Sequence, residues 1–463
     1  MKKFVSILGK LLIVLSLFYT SYIYLWQSPE DIDITREFAK KAEQNRLRYF
    51  KEISMENIRE KYGLTGKNVR VAIMGEMVDP KHADLHGRVY KQYDTYYQNN
   101  TLQKGKDNLP YDFNNLSFGD GHGTHIAGTI AANCDKKGIQ GIACGVTLDV
   151  YSFGGYNQDN GITEISKFIK AFSVALDHIA EENSIKITTG SFNIESPAIE
   201  YKDSHRLNGA SMVDILTNMP EEINSLEEII HKKIVILKNT SDIEYIKSFK
   251  DTLAVDDYLQ FTIGTLLPFS KEWKALEQSI HEYQKSGGVY IVTESNIVLD
   301  KTSILNAMPS ISPKVDKALW LSVVMVVPKD LESMTSKEIS NTKREYITPI
   351  NNCGSLAYEY CILTPSYNVL STMTAKVRDK ESPMIIVDDR TYQSFSGHSM
   401  GAPMVAASLA LMQEYNKREG LNYSMKDLVR ILKKSAYRGF KGYDPKKHGQ
   451  GMLDIQNAIR TMK

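Results

Sequence analysis

Charge of one sign is not in excess in this chain. Lys and Arg number 56 against 55 Asp and Glu, a formal net charge of +1. With no basic surplus to hold a phosphate backbone, nucleic acid is not expected as a partner. Proline (14) and glycine (29) are too few in 463 residues for a collagen-like or low-complexity chain. Four cysteines make no disulfide scaffold, though they allow two bridges. They lack C-x-x-C spacing and no histidine cluster flanks them, so zinc is not expected and no metal ligands are assigned. No internal repeat is visible. What is present is ordinary for a globular protein: 42% hydrophobic and 24% charged residues exclude disorder over most of the chain. The length suits one large domain or two to three small ones.

One apolar run stands apart. Leu11 to Trp26 carries no charge, and extension back to Phe4 is interrupted only by Lys10, which is about what a bilayer core requires. Lys2 and Lys3 precede it and Glu30, Asp31 and Asp33 follow, which predicts a cytoplasmic N-terminus with the rest translocated. The run ends in Tyr22, Ile23, Tyr24, Leu25 and Trp26, an interfacial belt rather than the small residues of a cleavage site. Residues 1–29 are therefore expected to be an uncleaved signal anchor, with a cleaved signal peptide as the alternative. No cysteine follows the run to carry a lipid. The expected location is a bacterial inner membrane, crossed once, with the remaining chain periplasmic or extracellular. Such a compartment lets disulfides persist. Cys134 and Cys144 lie ten apart and Cys353 and Cys361 eight apart, so local pairing is the simplest of three pairings.

Residues 30–62 are charged and helix-prone and read as a stalk or docking segment. From there, short apolar runs alternate with amphipathic ones. Val69–Ile73, Ile185–Thr189, Val289–Val292 and Leu319–Val327 predict buried strands. Ile165, Phe168, Ile169, Phe172, Leu176 and Ile179 share one helical face. Trp273, Leu276 and Ile280 mark another helix, closed by Gly287 and Gly288. Met404–Met412 reads as a buried helix and Leu428–Leu432 as an amphipathic one. This alternation predicts an α/β fold with right-handed crossovers and a mostly parallel sheet.

Three segments carry chemistry together. Asp120-Gly-His-Gly-Thr-His125 places His122 between two glycines, where it can lie close against other backbone and act as general base. Ser394-Phe-Ser-Gly-His-Ser-Met-Gly-Ala-Pro403 precedes an apolar helix, so Ser399 opens a helix whose donors and dipole favour an oxyanion. Pro403 near the helix start agrees with that. Val289-Tyr-Ile-Val-Thr-Glu-Ser-Asn296 ends an apolar strand in a side-chain donor, at the edge where α/β sheets place their sites.

On these motifs, in this order, the sequence resembles the subtilisin-like serine proteases, or subtilases. Lys67–Leu85 is similar to the family's first motif strand, and His448-Gly-Gln-Gly-Met-Leu-Asp454 to its terminal segment. Cys353-Gly, Tyr360-Cys361, Pro365 and Leu319–Val324 resemble segments of bacterial autotransporter subtilases. No counterpart of the autotransporter barrel is expected in a sequence that runs to Lys463. The resemblance implies a subtilisin-like three-layer fold over about residues 63–460 and a polypeptide substrate. It also implies substrate binding along Ser191, Phe192 and Asn193, with Ser399 as nucleophile, His122 as base and Asn296 as oxyanion donor. No cofactor is identified; calcium enters by resemblance only, without an acidic loop to name. A Cys353–Cys361 disulfide beneath the nucleophile segment is expected. Cys134–Cys144 is the weaker pairing, because Cys144 replaces a common family proline.

The departures set the questions. Gly75 stands where the family's catalytic Asp belongs. His398 replaces the usual Thr before the nucleophile, Gly401 the usual Ala after Met400, and Asn193 a Gly of the substrate strand. Ser191 to Asn296 spans 105 residues, implying an insertion at about 197–265 whose strand ends in Asn239, a rival donor. In a regular strand Glu76 would point away from the face of Gly75. A bend at Gly75 would relax that rule, so the orienting carboxylate is either missing or supplied by Glu76; Asp79 is the remote choice. The expectation with no replacement is a slow serine endopeptidase, which an Asp restored at position 75 would accelerate. The alternatives are a pseudoprotease serving as a binding or chaperone-like module, and an esterase or transferase using the same nucleophile.

Overall fold

The computed structural model describes residues 50–98, 101–103, 118–153, 162–192, 270–294, 302–328, 346–348, 352–374, 385–387 and 390–462, apart from 51, 56, 57, 95, 136 and 137. The expected membrane span, the residue 197–265 insertion, Asn193, Asn239 and Asn296 lie outside the described residues. Among the described residues no helix is long and apolar enough to cross a membrane.

Seven parallel strands form the central sheet. They are β1 (Arg70–Gly75), β2 (Val89–Asp94), β3 (Thr147–Ser152), β4 (Ile187–Gly190), β5 (Val289–Thr293), β6 (Trp320–Met325) and β7 (Cys361–Thr364). Their spatial order is β7-β6-β5-β4-β1-β3-β2. Strands buried on both faces favour apolar residues along most of their length, which is why they read as near-continuous runs. Their period of two then sorts the side chains into two cores. Val71 and Ile73 of β1 and Val289 and Ile291 of β5 face one core. Ala72, Met74, Tyr290 and Val292 face the other.

The first core is covered by α1 (Phe118–Ala131), α5 (Ala402–Arg418), α6 (Met425–Ser435) and α7 (Ile455–Thr461). The second is covered by α2 (Ile162–Glu182), α3 (Ser270–Lys285) and α4 (Ile304–Ile311). This is the expected three-layer arrangement with a parallel sheet. An antiparallel sheet of β8 (Val369–Thr372), β10 (Arg390–Phe395) and β9 (Ile385–Val387) leads into the segment that carries Ser399.

Strand β5 pairs directly with β4, Ile187 opposite Val289. The strand running toward Asn296 is therefore β4's sheet neighbour. Residues 52–55 and 58–64 reach the first core: Ile53, Ile58 and Leu64 are fully buried, and the Ile455 amide donates to the Ile53 carbonyl. The C-terminal part of the segment read as a stalk thus docks on the sheet domain.

Candidate active site

Strands β1, β3, β4 and β5 all end on one edge of the sheet, and the chemistry-bearing residues gather there. Helix α1 carries His122 one turn from its start. The helix packs against the segment after β1 because position 123 is glycine. A Cβ there would lie 2.2 Å from the Met77 carbonyl oxygen and 3.0 Å from the Glu76 Cβ. Thr124 ties the same contact, accepting the Asp79 amide at 2.9 Å on Oγ1.

Glu76 does not turn away from His122: its Oε2 lies 2.6 Å from His122 Nδ1. Strand geometry ends at Gly75, whose φ of +112° suits glycine and not an L side chain. The chain bends there, alternation lapses, and the longer glutamate side chain reaches the imidazole. Asp79 has another task, its Oδ1 accepting the Lys81 amide at 3.0 Å.

A carboxylate oxygen only accepts, so Nδ1 donates and the neutral ring carries its lone pair on Nε2. Burial alone would lower the His122 pKa. The Glu76 charge and its hydrogen bond outweigh that, so the imidazolium is held above its ordinary value of 6.5. The contact is sheltered but not sealed, with 13% of the His122 side chain and 27% of the Glu76 side chain exposed.

Ser399 sits on a single 3-10 turn, His398–Met400, immediately before α5, with Pro403 in the first turn of that helix. Helix α1 packs against this turn. Ser399 is nearly buried and exchanges two hydrogen bonds with Ser191. Ser191 Oγ donates to the Ser399 carbonyl at 2.9 Å, and Ser399 Oγ donates to the Ser191 carbonyl over a long 3.4 Å. Ser191, expected to bind substrate, is thereby joined to Ser399, the expected nucleophile.

The other departures have structural reasons. His398 is fully buried, and its Nδ1 accepts the Met325 amide at 2.7 Å at the end of β6. Burial drives its pKa down to about 3, so it remains a neutral anchor for the turn. Gly401 faces β7: a Cβ would fall 2.0 Å from Thr364 Oγ1 and 2.8 Å from Val323 Cγ1. His125 shares α1 with His122 but not its chemistry. It is fully buried, bonds the Val369 carbonyl at 2.8 Å through Nε2 and stacks on Phe395 at 4.7 Å. Burial lowers its pKa to about 3.

Both disulfides are formed, Cys134–Cys144 and Cys353–Cys361, each with a Cα–Cα separation of 5.7 Å. The second is roofed by Gly449, where a Cβ would stand 2.8 Å from Cys353 Sγ. Among the described residues no group of three or more His, Cys, Asp and Glu side chains is arranged to hold a metal ion.

Sequence reasoning missed the partner of Gly75. A Cβ at position 75 would lie 2.7 Å from Phe192 Cδ1, so the ring fills the space where an aspartate would start. The signal available was Gly75 itself, a glycine where the family's Asp is expected, which announces a crowded position without naming the neighbour that crowds it.

Comparison with known proteins agrees with this architecture. A model of the subtilase family matches residues 66–454. Fervidolysin of Fervidobacterium pennivorans is 40% identical over 84 residues, 18% of this chain and 11% of that protein. The major intracellular serine protease of Bacillus subtilis (strain 168) is 33% identical over 117 residues, 25% of this chain and 32% of that protein. The epidermin leader peptide-processing serine protease of Staphylococcus epidermidis is 25% identical over 202 residues, 41% of each chain. The matches thus span well under half the length of these relatives. The crystal structure of fervidolysin superposes on 86% of this chain and 43% of its own, with 16% identity and a TM-score of 0.48.

Proposed function

The chain belongs to the subtilase family, and from that premise we propose that it is a serine endopeptidase whose orienting carboxylate is Glu76. The observation carrying this reading is the 2.6 Å contact between Glu76 Oε2 and His122 Nδ1. Ser399 attacks the peptide carbonyl while His122 Nε2 takes its proton and later delivers it to the leaving amine. Glu76 holds the ring in the productive tautomer and stabilises the imidazolium formed in between. For this, Ser399 Oγ exchanges its long bond to the Ser191 carbonyl for one to His122. The Ser399 amide and Asn296 are the oxyanion donors. Ser191 and Phe192 belong to the segment that would bind the substrate backbone, a role that family resemblance extends to Asn193.

A fluorophosphonate probe tests the nucleophile. Labelling of wild type and its loss in Ser399→Ala is the expected result. Wild type that neither labels nor cleaves any peptide in a broad library would assign the cleft to binding instead.

The proposed place of action is outside the cytoplasm, tethered by Phe4–Trp26, on the strength of the charge asymmetry around that run. N-terminal sequencing of the membrane fraction tests the tether, and a mature chain starting near residue 27 would remove it.

A further inference from the structure

We propose that Phe192 is a positioning residue for the Glu76–His122 pair, an inference that rests on reading that pair as the orienting couple of the peptidase. The Phe192 ring lies across the glycines that end two adjacent strands. A Cβ on Gly75 would stand 2.7 Å from its Cδ1, and one on Gly190 would stand 2.8 Å from its Cε1. Met74 and Gly190 are register partners, so the two glycines form one shallow seat at the edge of β1 and β4. Phe153, Phe168 and Phe172 meet the ring edge-to-face at 5.3, 5.1 and 5.4 Å and hold it down.

Two consequences follow from the seat. No side chain fits at position 75 while the ring is there, so an aspartate cannot occupy it. The glycine is also free to take φ +112°, which ends β1 and swings residue 76 toward α1. Glu76 is then received at Gly123, whose lack of a Cβ leaves room for the glutamate's own Cβ. Phe192 follows Ser191 in the chain, and Ser191 bonds Ser399 in both directions. Two consecutive residues of one segment therefore steady both halves of the site, Ser191 the nucleophile and Phe192 the base with its carboxylate. A ring serving only the second core would have no bearing on how His122 titrates.

The test is an NMR titration of His122 in the full-length protein carrying Ser399→Ala, with the resonance assigned by its absence in His122→Gln. In Phe192→Ala the His122 midpoint is expected to fall by about one pH unit as Glu76 drifts from the ring. Phe192→Leu, which keeps apolar bulk but not the flat ring, is expected to fall by less and serves if Phe192→Ala does not fold. Ile169→Ala, a cavity in the same core, is expected to leave the midpoint in place. An unmoved midpoint in folded Phe192→Ala, or an equal shift in Ile169→Ala, overturns the proposal. Because no turnover is needed, failure of Ser399 to label in the wild type would sink the peptidase reading without touching this result.

Discussion

Glu76→Gln is the substitution on which the mechanism stands or falls. The amide keeps the length and shape of the side chain and removes only its charge and its obligatory acceptor character. A contact of 2.6 Å between Nδ1 and Oε2 puts the charge centres about 4 Å apart, worth ~4 kcal/mol at an effective dielectric of about 20. That energy is gained when the imidazolium forms, so its loss raises the barrier and slows turnover by ~10³-fold. The glutamine can also present its NH₂ to Nδ1, stabilising the tautomer that lacks a base at Nε2. Loss of the orienting carboxylate in serine proteases costs ~10⁴-fold, so ~10³ to 10⁴ is the expected range. The assay is hydrolysis of a fluorogenic peptide selected from a library, with active sites counted by fluorophosphonate. Gly75→Asp belongs beside it: the new Cβ meets Phe192 at 2.7 Å on a backbone of φ +112°, so activity falls rather than rises. Retention of more than a tenth of wild-type kcat/KM in Glu76→Gln, with Ser399→Ala inactive, would refute the reasoning, and a gain in Gly75→Asp would restore the expectation of a missing aspartate.

Three further outcomes are expected. Catalysis needs neutral His122 and Glu76 holds its pKa above 6.5, so kcat/KM rises with pH through a midpoint above that value, and the midpoint moves down in Glu76→Gln; the same pair stabilises the fold below the unfolded-state histidine pKa and ceases to as pH rises through the folded one. Gly401→Ala, whose Cβ meets Thr364 Oγ1 and Val323 Cγ1, lowers stability by ~1–3 kcal/mol in thermal unfolding, and adding Thr364→Ala costs less than the sum of the two changes. Replacing Cys353 and Cys361 together by serine costs ~2–3 kcal/mol in denaturant titrations for so short a loop, and an unchanged midpoint would show that the bridge constrains nothing.

The layers of the fold were readable because each rests on local pattern. A strand such as Val289–Thr293 is hydrophobic over its first four positions because both its faces are covered, and α2 announces its single buried face by spacing alone. His122 and Ser399 were readable because glycines and a proline mark the tight geometry around them. Glu76 was ambiguous because period-two alternation is a rule about regular strands, and whether a strand stays regular at a glycine depends on what presses against it. That neighbour, Phe192, is more than a hundred residues distant in sequence. His398 and Gly401 were visible as departures but not as solutions, since their partners, the Met325 amide and Thr364, belong to strands β6 and β7. Long-range pairs of this kind leave two odd residues in the sequence and no mark that joins them.

The seat beneath Phe192 also bears on how such a site changes over generations. An aspartate at 75 is excluded while the ring stands over it, and loss of the glutamate before another acid is in place takes the carboxylate away from His122 Nδ1. On the proposed mechanism each single step back toward the common family pattern is expected to lower activity, which would couple Gly75, Glu76, Gly123 and Phe192. A tally that scores only the aligned position would overlook a carboxylate that stands one residue along the chain, 2.6 Å from the His122 ring.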